Sequence, residues 1–319
     1  MKLKFKIGNR IPLVKKLLIV EGITRAGKFL LANLLNGFPN IEPVQYHGLL
    51  EQIPFLEKFG LMDRRTAQEL LQCEIDTHAY EMRIGRNLNH RLSDKSSIFN
   101  RLDSKLFLER AEKSDGDAAV AEFDKEKPSS LQILHELMPN IQIYFDTFPQ
   151  LKVLGLQRSP AELVYSWHQR GHGHRWGTDP KVFQMTINSP RGPIPWFAAE
   201  WEKNYYELSE MDRIIMSITT LVHKGRAAYQ KLSSKNKKNI LSLRYEDILE
   251  NPLAIVKQIG RFLKVKPSKD MPEILKREKL PNLSPHLNKN KKMEEIKKLA
   301  SPKYFQALVK LEKEYRHEK

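Results

Sequence analysis

Short apolar runs alternate with longer stretches of helical spacing along this chain. A short run that is bounded by turn residues favours a parallel strand covered on both faces, whereas apolar residues three and four positions apart favour a helix. Strands are predicted at 17–21, 43–47, 151–157 and 239–244, and helices near 64–82, 117–147 and 196–233. The pattern therefore predicts an α/β fold of three layers, with a central parallel sheet and helices on both faces.

The first predicted strand leads directly into a basic turn bounded by glycines, which extends from Gly22 to Lys28. Backbone N–H groups of such a turn, together with the unpaired N–H groups at the start of the next helix, converge on a single anion. Arg25 and Lys28 add positive charge. We therefore predict a P-loop-like phosphate-binding turn, with the binding residues Arg25, Ala26, Gly27, Lys28 and Phe29.

Phe29 restricts the kind of phosphate site. Residues 22–28 also fit the Gly-x4-Gly-Lys pattern of ATP-binding P-loops, but that pattern continues with Ser or Thr, whose hydroxyl binds Mg²⁺. A phenylalanine side chain cannot bind a metal ion. The sequence thus favours a nucleotide phosphate that is bound without magnesium at this position, and a magnesium-dependent P-loop kinase or NTPase is the alternative.

A second predicted connection between a strand and a helix also contains a basic residue. The predicted strand 151–157 is followed by Arg158, Ser159 and Pro160, and then by a helix that contains Ser166. Proline is favourable at the start of a helix, where its missing N–H would be unpaired anyway. Arg158 and Ser166 are eight residues apart, so we expect the guanidinium and the hydroxyl to bind one phosphate from two sides.

At this point the chain resembles the sulfotransferases that use 3'-phosphoadenosine-5'-phosphosulfate (PAPS). Their first motif, Pro-Lys-Ser-Gly-Thr-Thr between a strand and a helix, is similar to residues 24–29. Their second motif, Arg-x-Pro with a serine eight residues after the arginine, is similar to residues 158–166. Residues 245–248 are similar to a third family segment, Tyr-Glu-Asp-Leu, and the resemblance extends over roughly residues 15–265.

The resemblance implies that PAPS donates a sulfuryl group to an acceptor hydroxyl or amine. It implies that the first turn binds the 5'-phosphosulfate, that Arg25 stabilises charge on the bridging oxygen, and that Arg158 and Ser166 bind the 3'-phosphate. Lys28 and Phe29 depart from the family pattern, which has two hydroxyl residues there. One ammonium and one apolar contact would thus replace two phosphate hydrogen bonds.

Sulfuryl transfer also needs a base that removes the proton of the acceptor. We expect this base near the first turn, beyond the predicted strand 43–47. His47 is the first candidate and Glu51 the second, while a loop histidine and a solvated glutamate are the alternatives. Cations around the leaving group suffice for charge neutralisation, so we expect no metal requirement. The histidines at 168, 172 and 174 lie among glycines, which favours a helix end and an acceptor loop over a zinc site.

Charge and composition suit a polyanionic ligand. The chain of 319 residues has 54 Lys and Arg against 38 Asp and Glu, which gives a net charge of +16. PAPS fits this charge, as do other polyanions, but the sequence contains no nucleic-acid-binding motif. A noncatalytic, basic polyanion-binding protein is therefore a further alternative. The acceptor, a carbohydrate, lipid or small molecule, stays open, as does the oligomeric state.

Residues 1–265 are predicted to form the sulfotransferase-like domain, and 266–319 a Lys- and Pro-rich helical extension packed on it. No segment approaches the roughly 20 apolar residues of a membrane span, and residues 1–6 lack the apolar stretch of a signal peptide. The single Cys73 is consistent with a reducing compartment. We therefore expect a cytoplasmic protein.

Overall fold

The computed structural model describes residues 7–112, 116–283 and 288–317. Its main sheet has four parallel strands in the order β2-β1-β3-β6. These strands are β1 (Lys16–Gly22), β2 (Ser129–His135), β3 (Lys152–Gln157) and β6 (Ile240–Arg244). A separate antiparallel pair consists of β4 (Thr186–Ser189) and β5 (Gly192–Pro195).

Helices cover both faces of the main sheet. They are α1 (Lys28–Leu35), α2 (Leu49–Lys58), α3 (Arg64–Arg83), α4 (Ser104–Leu108), α5 (Asp117–Glu126), α6 (Gln142–Thr147), α7 (Pro160–His168), α8 (Glu202–Tyr205), α9 (Glu210–Lys231), α10 (Ser234–Lys237), α11 (Tyr245–Glu250), α12 (Pro252–Leu263), α13 (Met271–Arg277), α14 (Lys289–Leu299) and α15 (Pro302–His317). Short 3-10 helices lie at Ile98–Asn100, Glu109–Glu112, Met138–Asn140 and Trp196–Trp201.

Strand β1 shows why the sheet is the middle layer. Successive side chains of a strand point to opposite faces, so Leu18 and Val20 enter one hydrophobic cluster while Leu17 and Ile19 enter the other. All four are at most 2% exposed. A strand buried on both faces explains the continuous apolar run in the sequence. The structure thus confirms the predicted three-layer α/β fold.

The prediction of the second strand was wrong. Residues 43–47 form no strand, and the segment pairs with β2 only at isolated bridges, including Gln45 with Gln132. The second strand is β2, which lies inside the stretch 117–147 that was predicted to be helical. Helix α5 ends at Glu126, Lys127 takes a left-handed conformation with φ 48°, and Pro128 follows. Proline disfavours helical geometry in the residue before it, so the chain leaves the helix here and becomes extended.

The C-terminal helices α14 and α15 lie within the stretch 266–319 that was predicted to be a helical extension. Both pack on α7, and α15 also packs on α9. Their side chains Ile296, Leu308 and Leu311 are at most 2% exposed and belong to the larger hydrophobic cluster. The end of the described chain is therefore part of the main core, and the boundary at residue 265 stays an interpretation. Residues 1–6, on which the expectation about a signal peptide depends, lie outside the described residues.

Candidate active site

The predicted phosphate-binding turn lies between β1 and α1, at the carboxyl edge of the sheet. Arg25 and Gly27 both have left-handed backbone angles, with φ values of 75° and 101°. Ala26 is buried, and its N–H donates to the Ile23 carbonyl at 2.9 Å, which closes the turn. The first turn of α1 begins at Lys28, where helix N–H groups have no intrahelical acceptors. The backbone therefore has the shape and polarity of an anion site.

Gly27 is required for more than its backbone angle. A Cβ atom at this position would lie 2.4 Å from the ring of Tyr245, which is too close for any side chain. Tyr245 is the first residue of α11, directly after β6. The close approach places an aromatic ring against the backbone of the phosphate-binding turn.

The second corner, which is the strand-to-helix connection at residues 158–160, contacts the first corner, which is the turn at residues 22–28. Arg158 follows β3, and its Nη1 donates to the Arg25 carbonyl at 2.7 Å. The Arg25 Nε donates to the Ser166 Oγ at 3.2 Å. The Arg158 guanidinium also lies 4.7 Å from the ring centroid of Tyr245. The structure thus places the predicted site residues Arg25, Arg158 and Ser166 next to one another, and it adds Tyr245, to which the sequence analysis had assigned no role.

Residues from the C-terminal helix hold the second corner in place. The Ser159 Oγ donates to a Glu312 carboxylate oxygen at 2.8 Å, and the Ser159 N–H donates to Glu246 at 3.0 Å. Lys289 donates to the other oxygen of Glu312 at 2.6 Å, and the Tyr315 hydroxyl donates to Glu246. The residue that follows Arg158 is therefore fixed by α15, far away in sequence.

Lys28 lies beneath the turn rather than on its surface. Its side chain is buried, and Nζ donates to the Gly22 carbonyl at 2.5 Å and to the Ile23 carbonyl at 3.1 Å. The buried carboxylates of Glu21 and Glu136 lie close enough to stabilise its charge. Burial raises the pKa of Glu21 to about 7 and lowers the pKa of Lys28. Lys28 thus places a positive charge behind the turn, where its direct contacts are carbonyl oxygens.

A buried acid and an imidazole form a pair on the other side of the turn. The Glu51 Oε1 accepts from the His135 N–H at 2.5 Å and lies 2.7 Å from His135 Nδ1. The Tyr46 hydroxyl donates to the second carboxylate oxygen at 3.4 Å. Strand pairing sets His135 opposite Gly22, at the start of the turn. Burial raises the pKa of Glu51 to about 7 and lowers that of His135 to about 3, so the imidazole is neutral at pH 7.

A cavity of about 860 Å³ opens at the same edge of the sheet. Its walls come from the ends of β1, β3 and β6, from α9 and from α12, and they include Gly22, Arg158 and Arg244. This volume falls within the range of pockets that hold drug-sized ligands. The phosphate-binding turn, the second corner and a space of ligand size are therefore contiguous.

A family model that describes the sulfotransferase domain matches residues 18–311. The chain belongs to the sulfotransferase family. This match confirms the resemblance drawn from the motifs, and it includes the C-terminal helices. A curated relative, cytosolic sulfotransferase 11 of Arabidopsis thaliana, is 28% identical over 182 residues, which are 51% of this chain and 51% of that protein. The chain thus spans about half the length of the curated relative that it matches.

Solved sulfotransferase structures are also similar to this chain. Sulfotransferase STF1 from Mycobacterium tuberculosis H37Rv is 14% identical, with 82% of this chain and 71% of that chain covered and a TM-score of 0.41. Mouse sulfotransferase SULT7A1, complexed with PAP, is 10% identical, with 82% and 64% covered and a TM-score of 0.35. None of the helices in the described ranges of this family member is long and apolar enough to cross a membrane.

In this sulfotransferase-family chain, the two predicted bases have different surroundings. Glu51 faces His135 and the charge of Lys28. His47 instead contacts α3, where its ring lies 4.2 Å from the ring of His78 and its Nδ1 lies 3.8 Å from Glu74. The structure therefore groups Glu51, and not His47, with the buried charges of the turn.

The histidines after α7 also have separate surroundings. His168 and His174 face Glu210, with Nδ1 to Oε1 distances of 3.6 and 3.4 Å. His172 stacks on Trp176 and contacts Trp167. Helix α7 ends at His168, the first of these histidines. Burial lowers the pKa of His172 to about 4, so this ring packs as a neutral aromatic group.

Sequence reasoning missed His135 and Glu136 because their strand was predicted to be a helix. The Glu136 carboxylate accepts from the Thr24 N–H at 2.6 Å and thus helps to hold the turn. A signal for the strand was present, since Pro128 precedes a short apolar run that ends in polar residues before Pro139. Placing a strand there would have brought both side chains to the carboxyl edge of the sheet.

Proposed function

We propose that this protein is a PAPS-dependent sulfotransferase that transfers the sulfuryl group to a hydroxyl or amine of a carbohydrate, lipid or small molecule. The observation that supports the proposal most strongly is the convergence of Arg25, Arg158 and Ser166 at one phosphate-binding turn. We also propose a cytoplasmic location, because the curated relative is named a cytosolic sulfotransferase.

The donor site offers the groups that such a nucleotide needs. The Arg158 Nε is buried and has no hydrogen-bond partner within the described ranges, so the described protein groups leave one donor of this guanidinium unsatisfied. The backbone of the turn and the start of α1 would hold the 5'-phosphosulfate, while Arg158 and Ser166 would hold the 3'-phosphate. The Tyr245 ring, which lies against both corners, offers a surface on which a base can stack.

PAPS supplies an activated sulfuryl group when it is bound. Arg25 would stabilise the negative charge that develops on the bridging oxygen as this group leaves. Its guanidinium stays protonated, although burial lowers its pKa, and the hydrogen bond to Ser166 orients it. Lys28 would add an electrostatic contribution from beneath the turn.

We assign the base to Glu51, with His135 as a positioning residue. A base works best when its pKa lies near the working pH, and the pKa of Glu51 is about 7. The His135 backbone N–H donates to the Glu51 Oε1, and the His135 Nδ1 lies 2.7 Å from the same oxygen, so these two contacts hold the carboxylate in place. His47 stays the competing candidate from the sequence, and the two assignments predict different pH profiles for their variants.

Calorimetric binding of 3'-phosphoadenosine-5'-phosphate (PAP) and of ATP, each with EDTA and with Mg²⁺, tests the donor assignment. We expect PAP to bind in EDTA and to bind more tightly than ATP. Preference for ATP with Mg²⁺ would favour a P-loop kinase or NTPase. Binding of neither nucleotide, with retained binding of heparin, would favour a polyanion-binding protein.

A second assay tests turnover and the acceptor. PAPS would be incubated with panels of sugars, lipid headgroups and small alcohols or amines, and PAP release would be followed together with acceptor mass. We expect one panel to yield a product that is heavier by one sulfuryl group. PAP binding without any transfer across these panels would contradict the enzymatic part of the proposal.

A further inference from the structure

Three side chains with metal-binding groups meet on the surface of α3, outside the proposed donor site. Glu74 and His78 are four residues apart on this helix, so they lie on the same face. His47 approaches them from the segment before α2. In the described part of the chain, this is the one group of three or more His, Cys, Asp or Glu residues whose ligand atoms all lie within 4.8 Å of one another.

The distances suit a small ion. The Glu74 Oε2 lies 3.7 Å from His78 Nε2 and 3.8 Å from His47 Nδ1. Nitrogen and oxygen ligands on a tetrahedral zinc ion are about 3.3–3.5 Å apart, given metal–ligand bonds of about 2.0–2.2 Å. Movements of a few tenths of an ångström would therefore bring these two pairs of atoms to a common ion.

Neither imidazole nitrogen that faces Glu74 lies within hydrogen-bond distance of its carboxylate. His78 is 6% exposed, and its Nδ1 has no hydrogen-bond partner among the described residues. The Nε2 of His78 is separated from Glu74 by more than a hydrogen-bond length. The His47 Nδ1, which faces Glu74, also lacks a hydrogen bond within the described ranges. A buried polar group without a partner is costly, and a metal ion bound to the His47 Nδ1 would remove that cost for this nitrogen.

The ligand types determine which ion fits. Two imidazole nitrogens and one carboxylate oxygen suit zinc and similar transition-metal ions, whereas Mg²⁺ and Ca²⁺ prefer oxygen ligands. With three protein ligands, a tetrahedral zinc ion would take its fourth ligand from water or a bound molecule. We propose that His47, Glu74 and His78 form a zinc-binding site between α3 and the segment before α2, separate from the donor chemistry, for which we expected no metal requirement.

Zinc binding to the full chain tests this site. The chelator-treated protein is titrated calorimetrically with Zn²⁺ and with Mg²⁺, and Co²⁺ is added separately to record its visible absorption. We expect one Zn²⁺ per chain, no Mg²⁺ binding at this site, and the intense absorption of tetrahedral cobalt. Glu74→Gln and His47→Ala should each weaken Zn²⁺ binding by about tenfold or more.

Two matched variants serve as controls. Glu69→Gln lies on the same helix, and His223→Ala removes an exposed histidine of α9. Both should bind Zn²⁺ as tightly as the unmodified protein. If Glu74→Gln and His47→Ala bind Zn²⁺ as tightly as the unmodified protein does, the proposal is overturned. It is also overturned if the unmodified protein shows a cooperative unfolding transition but does not bind Zn²⁺. Neither result would affect the donor assignment, which PAP binding tests separately.

Discussion

The Arg158 guanidinium donates to the Arg25 carbonyl oxygen at 2.7 Å, so one arginine of the proposed donor site holds the backbone of the other. The same guanidinium donates to Glu162 at 3.1 Å, and its Nε remains unpaired in the described structure. Arg158 therefore has both a structural contact with the turn and a donor that no described group satisfies.

Arg158→Ala should weaken PAP binding by about 100-fold, because a charge-assisted hydrogen bond to the 3'-phosphate is lost. Adenosine 5'-phosphosulfate has no 3'-phosphate, so its affinity should fall much less. Calorimetry with both nucleotides measures the difference, and Arg261→Ala, an exposed arginine of α12, is the matched control. Equal losses for the two nucleotides would mean that Arg158 acts only by holding the turn.

Arg25→Ala should lower kcat by about 100- to 1000-fold while it changes PAP affinity by less, because the charge on the bridging oxygen develops in the transition state. Arg25→Gly provides a second test. Arg25 has a φ of 75°, which glycine adopts without strain, so this variant should fold at least as stably and still lose turnover. Unchanged turnover in either variant would exclude Arg25 as the main electrostatic catalyst.

The rate of transfer should rise with pH and level off above an apparent pKa near 7, since Glu51 acts as a base only when it is deprotonated and its pKa is about 7. Glu51→Gln should reduce kcat by at least about 100-fold and remove this rise. Glu57→Gln, on the same helix, is the control. If the rise of the rate with pH persists in Glu51→Gln and is lost in His47→Ala, the base is His47.

Lys28→Met should destabilise the protein by about 3–5 kcal/mol, because Glu21 and Glu136 would lose their buried counter-charge. The Glu21 pKa is raised above its unfolded value, so folding takes up a proton and stability falls as pH rises from 4.5 to about 7. Removing Lys28 raises this pKa further, and the stability deficit should thus be larger at pH 8 than at pH 6.

Urea unfolding at the two pH values measures this deficit. The double variant Lys28→Met/Glu21→Gln should recover part of the lost stability, since one buried negative charge is removed. A single variant that is as stable as the unmodified protein at pH 8 would show that Lys28 is not required to balance these carboxylates.

Both phosphate corners were predictable because their signals are local. The first corner combines a strand, Gly27 and a basic residue within a few positions. The second corner likewise combines a strand, Arg158 and Pro160. The direction of the Lys28 side chain was not predictable in this way. Its charge is balanced in part by Glu136, which follows β2 and is more than 100 residues away in sequence.

The pairing of Glu51 with His135 also required the fold. The two residues are 84 positions apart, and they meet because α2 packs against β2. Once 117–147 was taken as one helix, neither His135 nor Glu136 had a place at the edge of the sheet. The segment 43–47 contains Pro43 and pairs only at isolated bridges, so its alternating residues resembled a strand without forming one.

The hydrogen bond between Ser159 and Glu312 joins the second corner to α15 across 153 positions of sequence. Two regions that share a carboxylate are thermodynamically linked, so a ligand that stabilises one also stabilises the other. PAP bound at Arg158 should therefore slow amide hydrogen exchange throughout Pro302–His317, a helix that would not itself need to touch the nucleotide. The stability of the last described helix then becomes a reporter of whether the donor site is filled.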